Sequence, residues 1–451
     1  MSMISQLRQL GLFAARAPRY TSYPPATQFG PQVDAAVVGD WIDAVPAGTA
    51  ISLYVHVPFC RRLCWFCACR TQGTQSMVPV ERYVNVLLTE IAALKARLAP
   101  DIRLSRLHWG GGTPTLLPPD LISRLATAIF DAFPLLPDGE FSVEIDPSEI
   151  DAPRMAALAA AGMNRASIGV QDFDPLIQET IGRPQSFELT AEAISLIRSH
   201  GVASVNADIL YGLPHQTRDR ISDTVQKVLA LSPDRIALYG YAHVPWMSKR
   251  QVMIPDDALP SGEVRLALFD TARELFLADG FGEIGIDHFA RPEDGLARAA
   301  ESGRLRRNFQ GYTDDPADVL LGLGASSISR FPQGYAQNAP ATGAYSAAVR
   351  AGLLPTVRGH AFTAEDHWRG RMIEMLMCRF AIDMAEIEQQ FGLDRTRQAD
   401  LFAPLLARFG PALRLTSDRL DILPEGRPLT RLVAMALDGY AVAEGAHSSA
   451  V

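Results

Sequence analysis

The run ISLYVHV (51–57), followed almost at once by CRRLCWFCAC (60–69), decides the fold. The first piece is short, apolar and rich in β-branched and aromatic residues, and reads as a strand. The second places Cys60, Cys64, Cys67 and Cys69 in a C-x3-C-x2-C-x-C spacing. Three thiolates on one loop, at steps of four and three residues, can converge on three corners of an iron–sulfur cube and leave the fourth iron without a protein ligand. An iron left open in this way can bind a substrate or cofactor. The alternatives are a structural zinc site and buried core cysteines. Zinc knots pair two cysteines on one hairpin with two ligands a dozen or more residues away, and no second Cys/His pair stands at such a distance. Core cysteines would not cluster with Arg61 and Arg62 among them. The fifth cysteine, Cys378, lies on a helical pattern and reads as an inert core residue.

Outward from this stretch, apolar β-rich runs recur at 106–109, 141–145, 165–170, 204–210 and 235–241. Helical patterns separate them at 80–98, 119–133, 153–162, 188–201 and 219–232, several closed by Gly or Pro. Six strands alternating with helices imply a parallel sheet covered by helices. Right-handed crossovers make this either an open doubly wound sheet or a full or partial barrel, and periodicity does not choose between them. In both, the active site belongs at the C-terminal ends of the strands. Residues 1–48 form a separate arm, whose APRYTSYPPATQFG (17–30) is too aromatic for disorder and too Pro-rich for regular structure; it is expected to lie extended on the body. Residues 49–355 contain the alternating region and its extension. Residues 356–451 change to helices with charged faces, a separate mainly helical C-terminal domain, with frayed residues expected from Ala446 to Val451.

The chain has 451 residues, 48% of them hydrophobic and 20% charged, enough to bury a large core. With 42 basic against 50 acidic residues the net charge is −8, spread along the chain, so a nucleic-acid partner, which needs a basic face, is not expected. No run approaches the ~18 to 20 apolar residues of a membrane helix, and the opening segment lacks the apolar stretch of a signal peptide. An odd cysteine count with four clustered points to metal or redox chemistry in a reducing compartment, so a cytoplasmic location is expected.

The cysteine spacing and its place after the first strand resemble the radical S-adenosylmethionine (SAM) superfamily. Within it the chain is similar to the oxygen-independent coproporphyrinogen III dehydrogenases (oxidases) of haem biosynthesis. The resemblance rests on PRYTSYP (18–24), YVHVPFCRRLCWFCAC (54–69), HWGGGTPT (108–115), VEIDP (143–147), IGVQDFD (168–174), IGRPQ (181–185), ADILYGLPHQT (207–217), YAHVP (241–245), DHFARPED (287–294) and RNFQGYT (307–313), in the family's order across most of the chain. Haem-trafficking proteins of the same group are the alternative; they generally lack the fourth cysteine and the PRYTSYP arm, and both are present here. The resemblance implies a partial parallel (β/α)6-type barrel and a [4Fe-4S] cluster on Cys60, Cys64 and Cys67. It also implies that Cys69 is held back from the cluster as a catalytic thiol. It places Tyr54, Gly111, Glu144 and Ile328 on a first SAM, and Phe66, Gly112, Thr113, Gln171, Arg183, Asp208 and Ala242 on a second. The implied reaction converts two propionates of coproporphyrinogen III to vinyl groups, with a 5′-deoxyadenosyl radical made from SAM. A one-electron donor such as flavodoxin or ferredoxin and a further electron acceptor are implied partners, and the chain is expected to be a monomer.

The motifs also read physically. Gly110 to Gly112 at a strand's C-terminal edge permit close backbone approach and expose carbonyls that can hold an ammonium, where the plain alternative is a turn. Glu144 and Asp208 close strands, and an acid there is costly if buried unpaired. His56, His108, His243 and His288 near strand ends read equally as structural or catalytic. Arg19, Arg61, Arg62, Arg70, Arg291, Arg306 and Arg307 come from segments able to meet around one anionic substrate. The sequence departs from the commonest family pattern at Ala68, where Gly is frequent, and at Arg70, where an uncharged polar residue or His is usual.

Overall fold

A computed structural model describes residues 3–440 and 447–451. Strands form where the apolar runs stand: β1 Ala50–Val57, β2 Arg103–Gly111, β3 Leu135–Ile145, β4 Arg165–Gln171, β5 Ser204–Tyr211 and β6 Arg235–Gly240. Each pairs parallel with the next. The crossovers are helices α1 Val78–Arg97, α2 Pro119–Ala132, α3 Ala152–Ala160, α4 Phe187–Ser199 and α5 Arg218–Ala230. Local chemistry sets their starts: Asp151, Ser186 and Thr217 accept from the free backbone N–H groups of the first turns of α3, α4 and α5.

Side chains alternate along these strands. Leu53, Val55, Leu107, Trp109, Phe141, Val143, Ile168, Val205 and Ile236 are buried in one apolar core. Ser52, His108, Glu144, Ser167, Asp208 and Tyr239 line a polar cavity on the opposite face. Parallel sheets with both faces under helices are apolar on both. One polar, concave face therefore makes this a partial barrel.

The sheet continues past both edges. β7 Gly282–Ile284 and β8 His288–Ala290 add antiparallel beyond β6, while β9 Leu320–Leu323 adds parallel to β1. Beyond β9 come β10 Ile328–Phe331, β11 Gly334–Asn338 and β12 Thr356–Ala361, all antiparallel. The order is β12-β11-β10-β9-β1-β2-β3-β4-β5-β6-β8-β7, and its two ends do not pair. The parallel part thus has one strand, β9, beyond the six of the alternating region. Residues 356–361 form an edge strand of this sheet, and the helices of the C-terminal segment begin at Ala364.

A second core joins the arm to the C-terminal helices. Leu7, Leu12, Ala17, Tyr20 and Tyr23 pack with residues such as Met372, Leu376, Phe402 and Leu432. The arm is extended in its middle but carries helices at Met3–Gln9 and Ala35–Asp43. Of the segment expected to fray, Ala446 lies outside the described residues, as do 441–445. Residues 447–451 are instead anchored: Ala17 N–H donates to Ser448 O (3.3 Å) and Ala450 N–H to Ala15 O (2.9 Å), and Ala450 and Val451 are buried. Among the described residues, no helix is long and apolar enough to cross a membrane.

Because the arm fills a core, truncating it would test folding and closure together. Leu12 is fully buried, so Leu12→Ala is expected to lower stability by about 2 to 5 kcal/mol. Denaturant unfolding of the whole chain measures this.

Candidate active site

The cysteine loop leaves β1 and is pinned at both ends by a short parallel pairing of Phe59–Cys60 with Gln72–Gly73. It runs directly over the glycine edge of β2. Gly112 N–H donates to Val57 O and Thr113 N–H to Phe59 O, both at 2.8 Å. A Cβ on Gly112 would stand 2.5 Å from Phe59 O, and one on Gly111, whose φ is +107°, 2.4 Å from the His56 ring. Neither position tolerates a side chain.

A second clamp comes from the loop after β6. Gln251, fully buried, donates through Nε2 to Phe66 O (2.7 Å) and Ala242 O (3.0 Å). Ser248 Oγ donates to Cys67 O (3.0 Å) and Arg250 to Thr71 O (2.6 Å). From β4 onward, Arg183 is 8% exposed and binds Asp146 (3.2 Å), Gly169 O (3.1 Å) and Cys64 Sγ (3.5 Å).

Within this frame the thiols differ. Burial pushes Cys60 up to about 11, against hydrogen bonding from Thr113. Cys67 is drawn down to about 6 because Cys69 donates to its sulfur, with Arg250 and Arg183 nearby, and the same contact drives Cys69 upward. The donor set fits an iron–sulfur cluster. Cys60, Cys64 and Cys67 are near enough to influence one another electrostatically. Yet among the described residues no three Cys, His, Asp or Glu side chains gather closely enough to hold one metal ion. A zinc site needs its donors around one point, whereas a cube takes one thiolate per iron.

The residues expected to bind SAM stand at the same end of the barrel. Tyr54 on β1 bonds His56 (3.0 Å) and stacks on His108. His108 reaches Glu144 Oε1 (3.3 Å), and Gly111 N–H donates to Oε2 (3.0 Å). Burial opposes ionisation of Glu144, but these two donors outweigh it and its pKa falls below the ordinary value. Asp208 on β5 accepts from Ser167 (3.0 Å) and Asn206 (2.8 Å), and burial raises it. Gln171 ends β4 with φ +70°, and Ile328 opens β10. Of the histidines, His56 holds the loop through its bond to Arg70 O (3.1 Å). The main chain of residue 70 does this work while the Arg70 side chain stays exposed, so the departure there leaves the contact intact.

The seven arginines expected around one substrate do not all meet. Arg291 pairs with Asp279 (2.6 Å), Arg306 with Glu374 (3.1 Å), and Arg62 donates to Pro184 O (3.2 Å). Of the seven, Arg19 and Arg307 line one cavity that borders the barrel mouth. The Gln251 clamp escaped the sequence reading because a lone Gln in a loop carries no spacing signal. Cys378 is buried, as expected of a core residue.

The radical SAM superfamily profile matches residues 54–228. The chain is 65% identical over 451 residues, all of both chains, to the oxygen-independent coproporphyrinogen III oxidase of Paracoccus denitrificans. It is 43% identical over 428 residues to that of Bradyrhizobium diazoefficiens, covering 94% of this chain and 95% of the relative. Among solved structures, the coproporphyrinogen III oxidase HemN of Escherichia coli, described as a radical SAM enzyme, superposes with a TM-score of 0.88 at 37% identity, covering 94% of this chain and 98% of that one. With a half-open parallel barrel, a C-x3-C-x2-C-x-C loop at its mouth and full-length similarity, the chain belongs to the oxygen-independent coproporphyrinogen III oxidase family of radical SAM enzymes.

Proposed function

We propose that this chain converts two propionate side chains of coproporphyrinogen III to vinyl groups without oxygen, releasing CO2 and giving protoporphyrinogen IX. The observation that carries this reading is the cysteine loop at the barrel mouth, with three thiols in place for a cluster and Cys69 beside them, in a chain 65% identical to a coproporphyrinogen III oxidase. When bound, the cluster and SAM supply a one-electron reduction and a carbon radical able to take a hydrogen from the propionate.

The chain's own residues do the rest. Cys60, Cys64 and Cys67 would hold the cluster, with Cys69 held back from it. Glu144, kept ionised by His108 and the Gly111 N–H, offers an anionic acceptor to the first SAM, alongside Tyr54, Gly111 and Ile328. Phe66, Gly112, Thr113, Gln171, Arg183, Asp208 and Ala242 receive a second SAM. Cys69 remains free as a thiol close to the reacting groups. The polar barrel wall and the arm keep bulk water from the radical. A small one-electron carrier such as flavodoxin or ferredoxin delivers the electron, a separate acceptor removes the residual one, and the enzyme works as a cytoplasmic monomer.

The test is an anaerobic assay of reduced protein with SAM and coproporphyrinogen III, read by product mass. The divinyl product supports the reading; SAM consumption with no change in the tetrapyrrole, or haem binding without SAM turnover, overturns it. Anaerobically reconstituted protein is expected to be brown with about four irons per chain. Cys67→Ser should lose the cluster. Cys69→Ser should keep about four irons and a SAM-induced EPR change but lose much of its vinyl formation. Glu144→Gln, which removes the anionic acceptor, should raise the KM for SAM by about tenfold or more, measured by 5′-deoxyadenosine release.

A further inference from the structure

Beside the barrel mouth lies a cavity of about 400 Å3, bounded by the ends of β5 and β6, the arm, the C-terminal helices and residues 449–451. It shares a wall with the barrel interior: Tyr239 and His288 face the interior, and their chain neighbours Gly240 and Asp287 line the cavity. Its outer part is electrically paired, since Arg273 and Arg427 both bind Glu283 (2.5 and 2.8 Å). The inner part is not.

Four guanidiniums meet there. Among the described residues, Arg265 donates to the main-chain oxygens of Gly212 and Tyr241 and to an oxygen of Val451, the last residue of the sequence (3.2, 2.8 and 2.9 Å). Among the described residues, Arg431 donates to the main-chain oxygens of Ala17, Pro18, Ser449 and Ala450. Arg19 donates to Gly240 O (2.6 Å). The Arg307 side chain is 4% exposed, lies over the Tyr312 ring, and its nearest carboxylate oxygen, on Asp287, is 3.6 Å away. Among the described residues, Nε and Nη1 of Arg307 have no hydrogen-bond partner. Buried guanidinium N–H groups without acceptors are costly; Asp270, Glu274, Glu283 and Glu425 also line the cavity, but among the described residues Asp287 is the carboxylate beside Arg307, and the clustered cations repel one another. Burial and the neighbouring Arg19 together draw Arg431 down to about 9. A ligand that brings carboxylates would remove both penalties, and a planar fork such as that of Arg307 suits a carboxylate best.

We propose that this cavity is a carboxylate pocket in which Arg307, with Arg19, grips a propionate of the tetrapyrrole that is not reacting, so that another propionate faces the cluster across the wall of Tyr239 and His288. The inference rests on the assigned reaction and adds to it how the enzyme holds a tetracarboxylate in register. Arg307 is the anchor, while Arg265 and Arg431 tie the arm and the 449–451 segment to the cavity rim and lend it positive potential.

The experiment uses the reconstituted holoenzyme, with coproporphyrin III, the stable oxidised tetraacid, and its tetramethyl ester as fluorescent probes. Wild type should bind the acid and discriminate against the ester. Arg307→Gln should weaken acid binding about ten- to a hundredfold and raise the KM for coproporphyrinogen III in step, leaving ester binding where it was. Arg307→Lys, which keeps the charge but loses the fork, should recover part of the loss. Iron content and the SAM-induced EPR change report whether the variant is folded. If Arg307→Gln does not fold, Arg19→Gln reads the same pocket from the arm and should weaken acid binding in the same direction. Wild-type affinity for the acid in a folded variant, or equal binding of acid and ester by wild type, overturns the pocket while the assigned reaction stands. A wild-type enzyme that neither binds the acid nor converts coproporphyrinogen III overturns the reaction and the pocket with it.

Discussion

The backbone of the cysteine loop lies against the glycine edge of β2 with no room for a side chain between them, and much of the site follows from that contact. Two main-chain hydrogen bonds, from Gly112 to Val57 and from Thr113 to Phe59, continue the β1–β2 pairing beyond the end of the strands. They extend the rigidity of the barrel into the loop that carries the thiols. With its ends closed by the Phe59–Cys60 pairing and its far side clamped by Gln251 and Ser248, the loop has few ways to open. Holding three thiols at a fixed separation costs conformational entropy, and these contacts impose that cost when the chain folds.

The same economy governs the barrel interior. Charges inside a fold must be matched, and removing one partner of a buried pair leaves the other stranded. At the end of the barrel away from the cysteine loop, Arg106 binds Asp314 (2.8 Å), Arg165 binds Glu140 (3.1 Å) and Arg235 binds Asp294 (2.5 Å). Although burial opposes it, Arg165 and Arg235 hold Glu140 down to about 2. This layer is electrically closed and has a structural role. At the loop end, Glu144 rests on His108 and the Gly111 N–H, and Asp208 on Ser167 and Asn206, which leaves them acceptor capacity for a ligand. The division between a satisfied floor and a half-satisfied mouth is what makes one end of the polar interior a site.

Legibility in the sequence followed the range of the interactions. The cysteine loop was plain because its meaning lies in covalent spacing, and the six strands and five helices because periodicity reports burial on one face. The choice between barrel and doubly wound sheet was in fact present in the strands: Ser52, Tyr54 and His56, then Ser142 and Glu144, then Asn206 and Asp208 recur every second residue, which a sheet apolar on both faces would not show. β9 was hidden because Leu-Leu-Gly-Leu is four residues long and has no alternation to read. Gln251, and the meeting of Arg19, Arg265, Arg307 and Arg431, depend on contacts between segments hundreds of residues apart. No local pattern encodes such contacts.

Arg431 links closure of the site to its charge. Its guanidinium spans two segments, Ala17–Pro18 on the arm and Ser449–Ala450, through main-chain acceptors among the described residues. Neutral acceptors satisfy its N–H groups without cancelling its charge, so whatever docks the arm also adds a cation to the rim. Arg19, carried by that arm, brings another. Docking the arm on an empty cavity therefore works against like-charge repulsion, and docking it over a polycarboxylate works with attraction. The arm's anchors in the second core, Leu7, Leu12, Ala17 and Tyr20, do not feel this difference, whereas Arg19, which lines the cavity, does. The hydrophobic root thus holds the arm whether or not the cavity is filled, and the charged tip is the part whose energy depends on the proposed carboxylate.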